Sequence, residues 1–130
     1  MDERELQQRT KTFALRVMKL VDALPARLSG RVIGSQLLRS GTSVASNYRA
    51  ACRGRSKVEF IAKRGTVEEE ADESAFWIEL IIESGLMKQR KVQALHSEAS
   101  QLTAIIAASR LTATRNRVPI ANRKSQIANP

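Results

Sequence analysis

Residues 56–85 read SKVEFIAKRGTVEEEADESAFWIELIIESG, and this stretch decides the fold. It opens with Ser56-Lys57-Val58-Glu59, a capping box in which a hydroxyl and a carboxylate satisfy free backbone N–H groups at a helix start. It closes on Gly85, a residue suited to ending a helix. No proline interrupts it. Its apolar positions recur every three or four residues: Phe60 or Ile61, then Val67, Ala71, Ser74, Ile78 and Ile81. That period belongs to an α-helix and not to a strand. Phe76, Trp77 and Ile82 widen the stripe, so this helix is expected to have neighbours on more than one side, a second subunit among them.

The same period extends in both directions. The prolines are Pro25, Pro119 and Pro130, so nothing between the first two forbids helix. A first helix is expected over about Asp2–Leu24, with Leu6, Phe13, Val17, Leu20 and Leu24 on one stripe. Pro25 ends it, because the residue before a proline avoids the α region. A second is expected over about Ser29–Cys52, with Val32, Leu37, Ser40, Val44, Asn47 and Ala51 inward. Its middle holds Ser40, Gly41, Thr42, Ser43, Ala45 and Ser46. Gly41 costs about 1 kcal/mol against alanine in a helix, and small residues there let a neighbouring helix approach closely. A phosphate-binding loop does not fit, since no Gly-Lys-Ser/Thr ending follows. A fourth helix is expected over about Lys88–Thr112, with Val92, Leu95, Ala99, Leu102, Ile105 or Ile106, and Ser109 inward. Short connections imply antiparallel neighbours: an all-α, up-down-up-down four-helix bundle over residues 1–114. From 115 to 130 the pattern dissolves into Arg115, Arg117, Arg123 and Lys124 with no acid, read as a flexible basic tail.

The chain has 130 residues, enough for one domain, with 42% hydrophobic and 27% charged residues, as in soluble globular proteins. Twenty-two Lys and Arg against 13 Asp and Glu leave a net charge of +9, which favours a polyanionic partner. No run approaches the ~20 apolar residues of a membrane span. Cys52 is the lone cysteine and His96 the lone histidine. An internal disulfide and a Cys/His zinc cluster are therefore excluded, and a reducing cytoplasm is the expected setting.

Charge is segregated along the chain. Arg27 to Arg64 holds nine bases and one acid, Glu59; Thr66 to Gly85 holds seven acids and no base. Arg49, Arg53, Arg55, Lys57, Lys63 and Arg64 cluster around the second-to-third helix connection and are the candidate nucleic-acid contacts. Exposed stacking aromatics are scarce, so the expected binding is phosphate-directed and salt-sensitive, to RNA more than DNA. Arg39, Ser43 and Asn47 share one face of the second helix, and a polar layer is expected with Glu70 or Glu73 of the third facing Arg39. A di-iron site would need Glu-x-x-His pairs, and the third helix has no histidine. No metal and no cofactor are expected. His96, five and six residues after Lys91 and Arg90, permits a metal-independent ribonuclease as an alternative, with the imidazole as general acid or base. The other alternative is a protein-assembly module without nucleic acid. The preferred expectation is a non-enzymatic nucleic-acid-binding protein.

Residues 36–49, QLLRSGTSVASNYR, resemble the signature of proteins encoded in intervening sequences of bacterial 23S ribosomal RNA genes. Residues 56–63 and 70–80 look like that family's second block, and the resemblance spans about Phe13–Thr112. It implies a four-helix bundle, a ring-shaped homopentamer and no established catalytic residue. Relatives that serve diversity-generating retroelements imply contact with nucleic acid and a reverse transcriptase. The chain departs from the family at Ala50, where a glutamate is usual, and at Gly65, within a commonly aliphatic run. The missing carboxylate weakens that part of the polar layer.

Overall fold

The structure, a computed structural model, describes residues 1–117. It contains α1 (Glu3–Asp22), α2 (Leu28–Cys52), α3 (Lys57–Glu83) and α4 (Gln89–Arg117). Each helix packs antiparallel to the next, and α1 meets α4 along a sparser seam that closes the bundle. The expected architecture is the one observed. Among the described residues no helix is long and apolar enough to cross a membrane.

The ends follow from local chemistry. Asp2 caps α1, its Oδ1 accepting from Glu5 N at 2.8 Å while Glu5 Oε2 accepts from Asp2 N at 3.3 Å. Ser56 caps α3, accepting from Glu59 N at 3.1 Å. Glu59 reaches one residue further back than a standard box and accepts from Arg55 N at 2.7 Å. Gly85 follows α3 with φ +76°, a left-handed conformation that glycine adopts without steric cost. α4 runs past Thr114 to Arg117, so the expected boundary at 115 falls inside a helix. The rest of the anticipated tail lies outside the described residues.

The core is where the stripes converge: Phe13 and Val17, Leu37 and Val44, Val67 and Ile78, Val92 and Leu102 are all fully buried. α1 and α2 approach closely because α2 offers glycine. A Cβ on Gly41 would stand 2.8 Å from both Val17 methyl carbons. Two α2 positions differ from expectation: Val32 is exposed, and Tyr48, not Asn47, turns inward. Phe76 is also exposed, though it stacks edge-on against Trp77 with centroids 5.1 Å apart.

Ion pairs pin the seams. Arg9 makes a two-pronged contact with Glu98 across α1/α4, both at 2.7 Å. That hydrogen bond raises the Arg9 pKa further, against the opposing effect of burial. Arg110 donates to Glu68 at 2.8 Å across α3/α4.

Candidate nucleic-acid interface

Antiparallel order brings four helix ends to one pole of the bundle: the starts of α1 and α3 and the finishes of α2 and α4. Two of these are capped N-termini and two are C-termini, so the partial charges of the helix ends oppose one another and side chains set the sign of the pole. Arg49, Arg53, Arg55, Lys57 and Lys63 all stand exposed at this pole. Among the described residues, none of the five is in an ion pair. Glu59, the acid nearest to them in sequence, has one carboxylate oxygen engaged by the Arg55 backbone. The cations are thus left to solvent.

Two open grooves meet at Arg53. One, of about 370 Å³, follows the α2–α3 turn and is lined by Ala50, Gly54, Arg55, Glu59, Ala62 and Lys63. The other, of about 930 Å³, runs between α1 and α2 and is lined by Arg4, Lys11, Arg49, the glutamines Gln7 and Gln8, and Glu5. Glu5, the acid there, is held in the α1 capping box. Arg4 and Lys11 are not among the contacts that the sequence pattern singles out. A signal for them exists: they lie seven apart on one face of α1, and an antiparallel α1–α2 hairpin carries that face to Arg53 and Arg49.

Arg64 does not belong to this surface, and its place among the candidate contacts is corrected here. Its side chain points inward and only 3% of the residue is exposed. It donates to Tyr48 OH at 3.2 Å and to Ser109 Oγ, and its guanidinium lies 4.2 Å from the Phe60 ring centroid. The reason is register: position 64 continues the inward row of Val67, Ala71 and Ile78, so helical geometry buries whatever stands there. No carboxylate pairs with it among the described residues, and its Nε is buried without a partner. Burial pushes the Tyr48 hydroxyl pKa upward, and the Arg64 charge partly opposes that shift.

The polar layer forms in part. Arg39 bonds Glu70 at 3.2 Å and also reaches Glu73, which accepts from Trp77 Nε1 at 3.0 Å. Ser43 and Asn47 do not bridge the helices; Asn47 Nδ2 donates to its own helix at Ser43 O, 3.0 Å away. Their places between the helices are taken by Ser40 and Ser74, whose buried hydroxyls meet at 2.9 Å. The reason is again angular, since Ser40 lies nearer the centre of the inward face of α2 than Ser43. His96 sits at 3.1 Å from Glu79, toward the opposite pole from the cations.

These features define a class: a small antiparallel helical bundle with one cationic pole, stabilised by seam ion pairs. The 23S rRNA-intervening sequence protein model matches residues 2–108, and the chain belongs to that family. The bundle is similar to the crystal structure of a protein of unknown function from the S23 ribosomal protein family of Bacteroides thetaiotaomicron VPI-5482. That likeness has a TM-score of 0.78 and 25% identity, over 85% of this chain and 98% of the other. No curated protein matches the chain.

Proposed function

We propose that this protein is a non-enzymatic, ring-forming bundle that binds nucleic acid, structured RNA in preference to DNA, through phosphate contacts at its cationic pole. The observation that carries the reading is the set of exposed cations around the α2–α3 turn, in no ion pair among the described residues: Arg49, Arg53, Arg55, Lys57 and Lys63, joined by Arg4. Arg64 is left out. The pole has charge but no exposed aromatic platform, because Phe13 and Tyr48 are buried and Phe60 is half-buried over Arg64. Such a surface recognises backbone charge and shape instead of base edges. Ring formation and a reverse-transcriptase partner enter by resemblance to the family.

Binding of labelled structured RNA, measured over a range of salt concentrations, tests the reading. Affinity falls steeply as salt rises, through counterion release. Arg53→Ala/Arg55→Ala/Lys57→Ala lowers the log–log salt slope by about one for each phosphate that is no longer neutralised. An unchanged slope in that variant contradicts the proposed site. RNA cleavage in chelator, abolished by His96→Ala, would replace the proposal with the ribonuclease alternative.

A further inference from the structure

Beneath the cationic pole lies a guanidinium that no carboxylate neutralises among the described residues. Arg64 is only 3% exposed, and its Nε is buried without a hydrogen-bond partner. Its other nitrogens donate to neutral hydroxyls, Tyr48 OH at 3.2 Å and Ser109 Oγ. Its faces lie against two rings, 4.2 Å from the Phe60 centroid and 5.0 Å from that of Tyr48. A buried charge left in this state favours any neighbouring group that can become an anion.

Few groups stand near enough to do so. Tyr48 stays a neutral phenol, because burial raises its pKa. Glu3, the acid at the start of α1, is exposed to solvent. Cys52 remains. It follows Tyr48 by four residues, so the two share one face of α2. Tyr48 lies opposite Arg64 and Ser40 opposite Ser74, so in this antiparallel pair Cys52 is level with positions 60–62 of α3, within about one turn of Arg64. Arg64 and Cys52 also act on the same hydroxyl: burial is the main influence on the Tyr48 pKa, Arg64 lowers it and the Cys52 thiol raises it. Cys52 packs against the core, yet it is half-buried and keeps a solvent-facing edge. The thiol is therefore open to a small reagent from one side and backed by an unneutralised cation on the other.

We propose that Cys52 is a modification site for hydroperoxides, and that Arg64 pairs with its oxidised form. Cys52 Sγ attacks one peroxide oxygen, and the S–O bond forms as the O–O bond breaks. The thiol proton passes to the departing oxygen, which leaves as water or an alcohol. Sulfur loses two electrons, the peroxide gains them, and the product is a sulfenic acid. Beside the guanidinium this acid gives up its proton to solvent, and the sulfenate accepts charge-assisted hydrogen bonds from Arg64, with Nε available as a donor. Cys52 is the lone cysteine, so no disulfide forms within the chain; two molecules of a small thiol in solution supply the electrons that restore it. Cys52 ends α2 and Arg53 follows it, so the new negative charge enters directly under the pole and weakens RNA binding there. That last consequence rests on the proposed function; the modification itself does not.

Treatment of the full chain with stoichiometric hydrogen peroxide, followed by the sulfenic-acid reagent dimedone and mass spectrometry, tests the site. Label is expected on Cys52 of the folded protein and none on Cys52→Ser. Thermal unfolding before and after oxidation tests the part played by Arg64, with circular dichroism confirming that each variant is folded. Oxidation is expected to raise the melting temperature of wild type. It is expected to lower that of Arg64→Met, where the sulfenate finds no cation, whereas Arg64→Lys keeps a charge and shifts in the wild-type direction. Absence of label on folded wild type, or the same shift in wild type and Arg64→Met, would overturn the proposal. Binding of labelled RNA by the same samples separates the two readings. A wild type that binds no RNA before oxidation contradicts the cationic pole while the label and the melting shifts still decide the thiol site. Equal binding before and after oxidation overturns the coupling of Cys52 to the pole.

Discussion

Arg64 illustrates what a single residue can do inside a bundle. A guanidinium buried without a carboxylate loses its hydration and recovers only part of it from Tyr48, Ser109 and the faces of Phe60 and Tyr48. Its aliphatic stem, however, fills core volume. Removing the charge while keeping the stem should therefore be cheap, and removing both should not. Arg64→Met is expected to leave stability within about 1 kcal/mol of wild type or to raise it, because uncharged packing often replaces a buried ion without loss. Arg64→Ala is expected to cost about 3 kcal/mol through the cavity and the unpaired Tyr48 hydroxyl. Urea titration of the two variants distinguishes these outcomes. Tyr48 adds a pH dependence. Its folded pKa is raised by burial above the unfolded value of about 10. The neutral phenol therefore contributes stability that is fully present below about pH 10 and is lost as pH rises beyond it. Since Tyr48 is the lone tyrosine, its ultraviolet absorbance reports one group. The expected result is no ionisation near pH 10 in the folded protein and a normal titration in denaturant.

Elements are positioned by what the facing surfaces allow. α1 sits close to α2 because Gly41 leaves room for Val17, so the fit of that seam depends on an absent side chain. Gly41→Ala gains about 1 kcal/mol of helix propensity. It also forces a methyl to within 2.8 Å of the Val17 methyls, and overpacking of this kind costs about 1–3 kcal/mol. The net expectation is a loss of roughly 1 kcal/mol that disappears on a Val17→Ala background, relative to Val17→Ala alone, as a double-mutant cycle on thermal unfolding would show. At the other seams the ion pairs are partly exposed, Arg39 by 48% of its side chain. Pairs of that kind contribute at most about 1 kcal/mol each. They set register more than they set stability.

At the scale of the whole molecule, the separation of charge along the chain becomes a separation in space. The bases of residues 49–63 gather at one pole with Arg4, while Glu69, Asp72 and Glu83 remain on the flank of α3. Under the proposed function, the bases at the pole are the population that meets a polyanion. Salt is expected to weaken binding at the pole, and the Arg53→Ala/Arg55→Ala/Lys57→Ala variant is expected to lose RNA while keeping its helical content by circular dichroism.

Helix count, order, the Ser56 cap and the stop at Gly85 were legible in the amino-acid sequence because they depend on neighbours three or four residues away. The cluster around the α2–α3 turn was legible for the same reason, since Arg49, Arg53, Arg55 and Lys57 are close along the chain. The pairing of Arg39 with the Glu70 and Glu73 region was also accessible, because an antiparallel hairpin has few registers that bury both stripes. Three things were decided only by the tertiary structure. Arg64 is a base like its neighbours in composition, and only the angular position of its Cβ on a packed α3 turns it inward. Arg4 and Lys11 join the α1/α2 groove only when α1 folds back along α2. The Ser40–Ser74 contact, in place of Ser43 and Asn47, arises from the angular fit of two packed helices. Local chemistry determines where a helix begins and ends; which of its side chains meet water is determined by what packs against it.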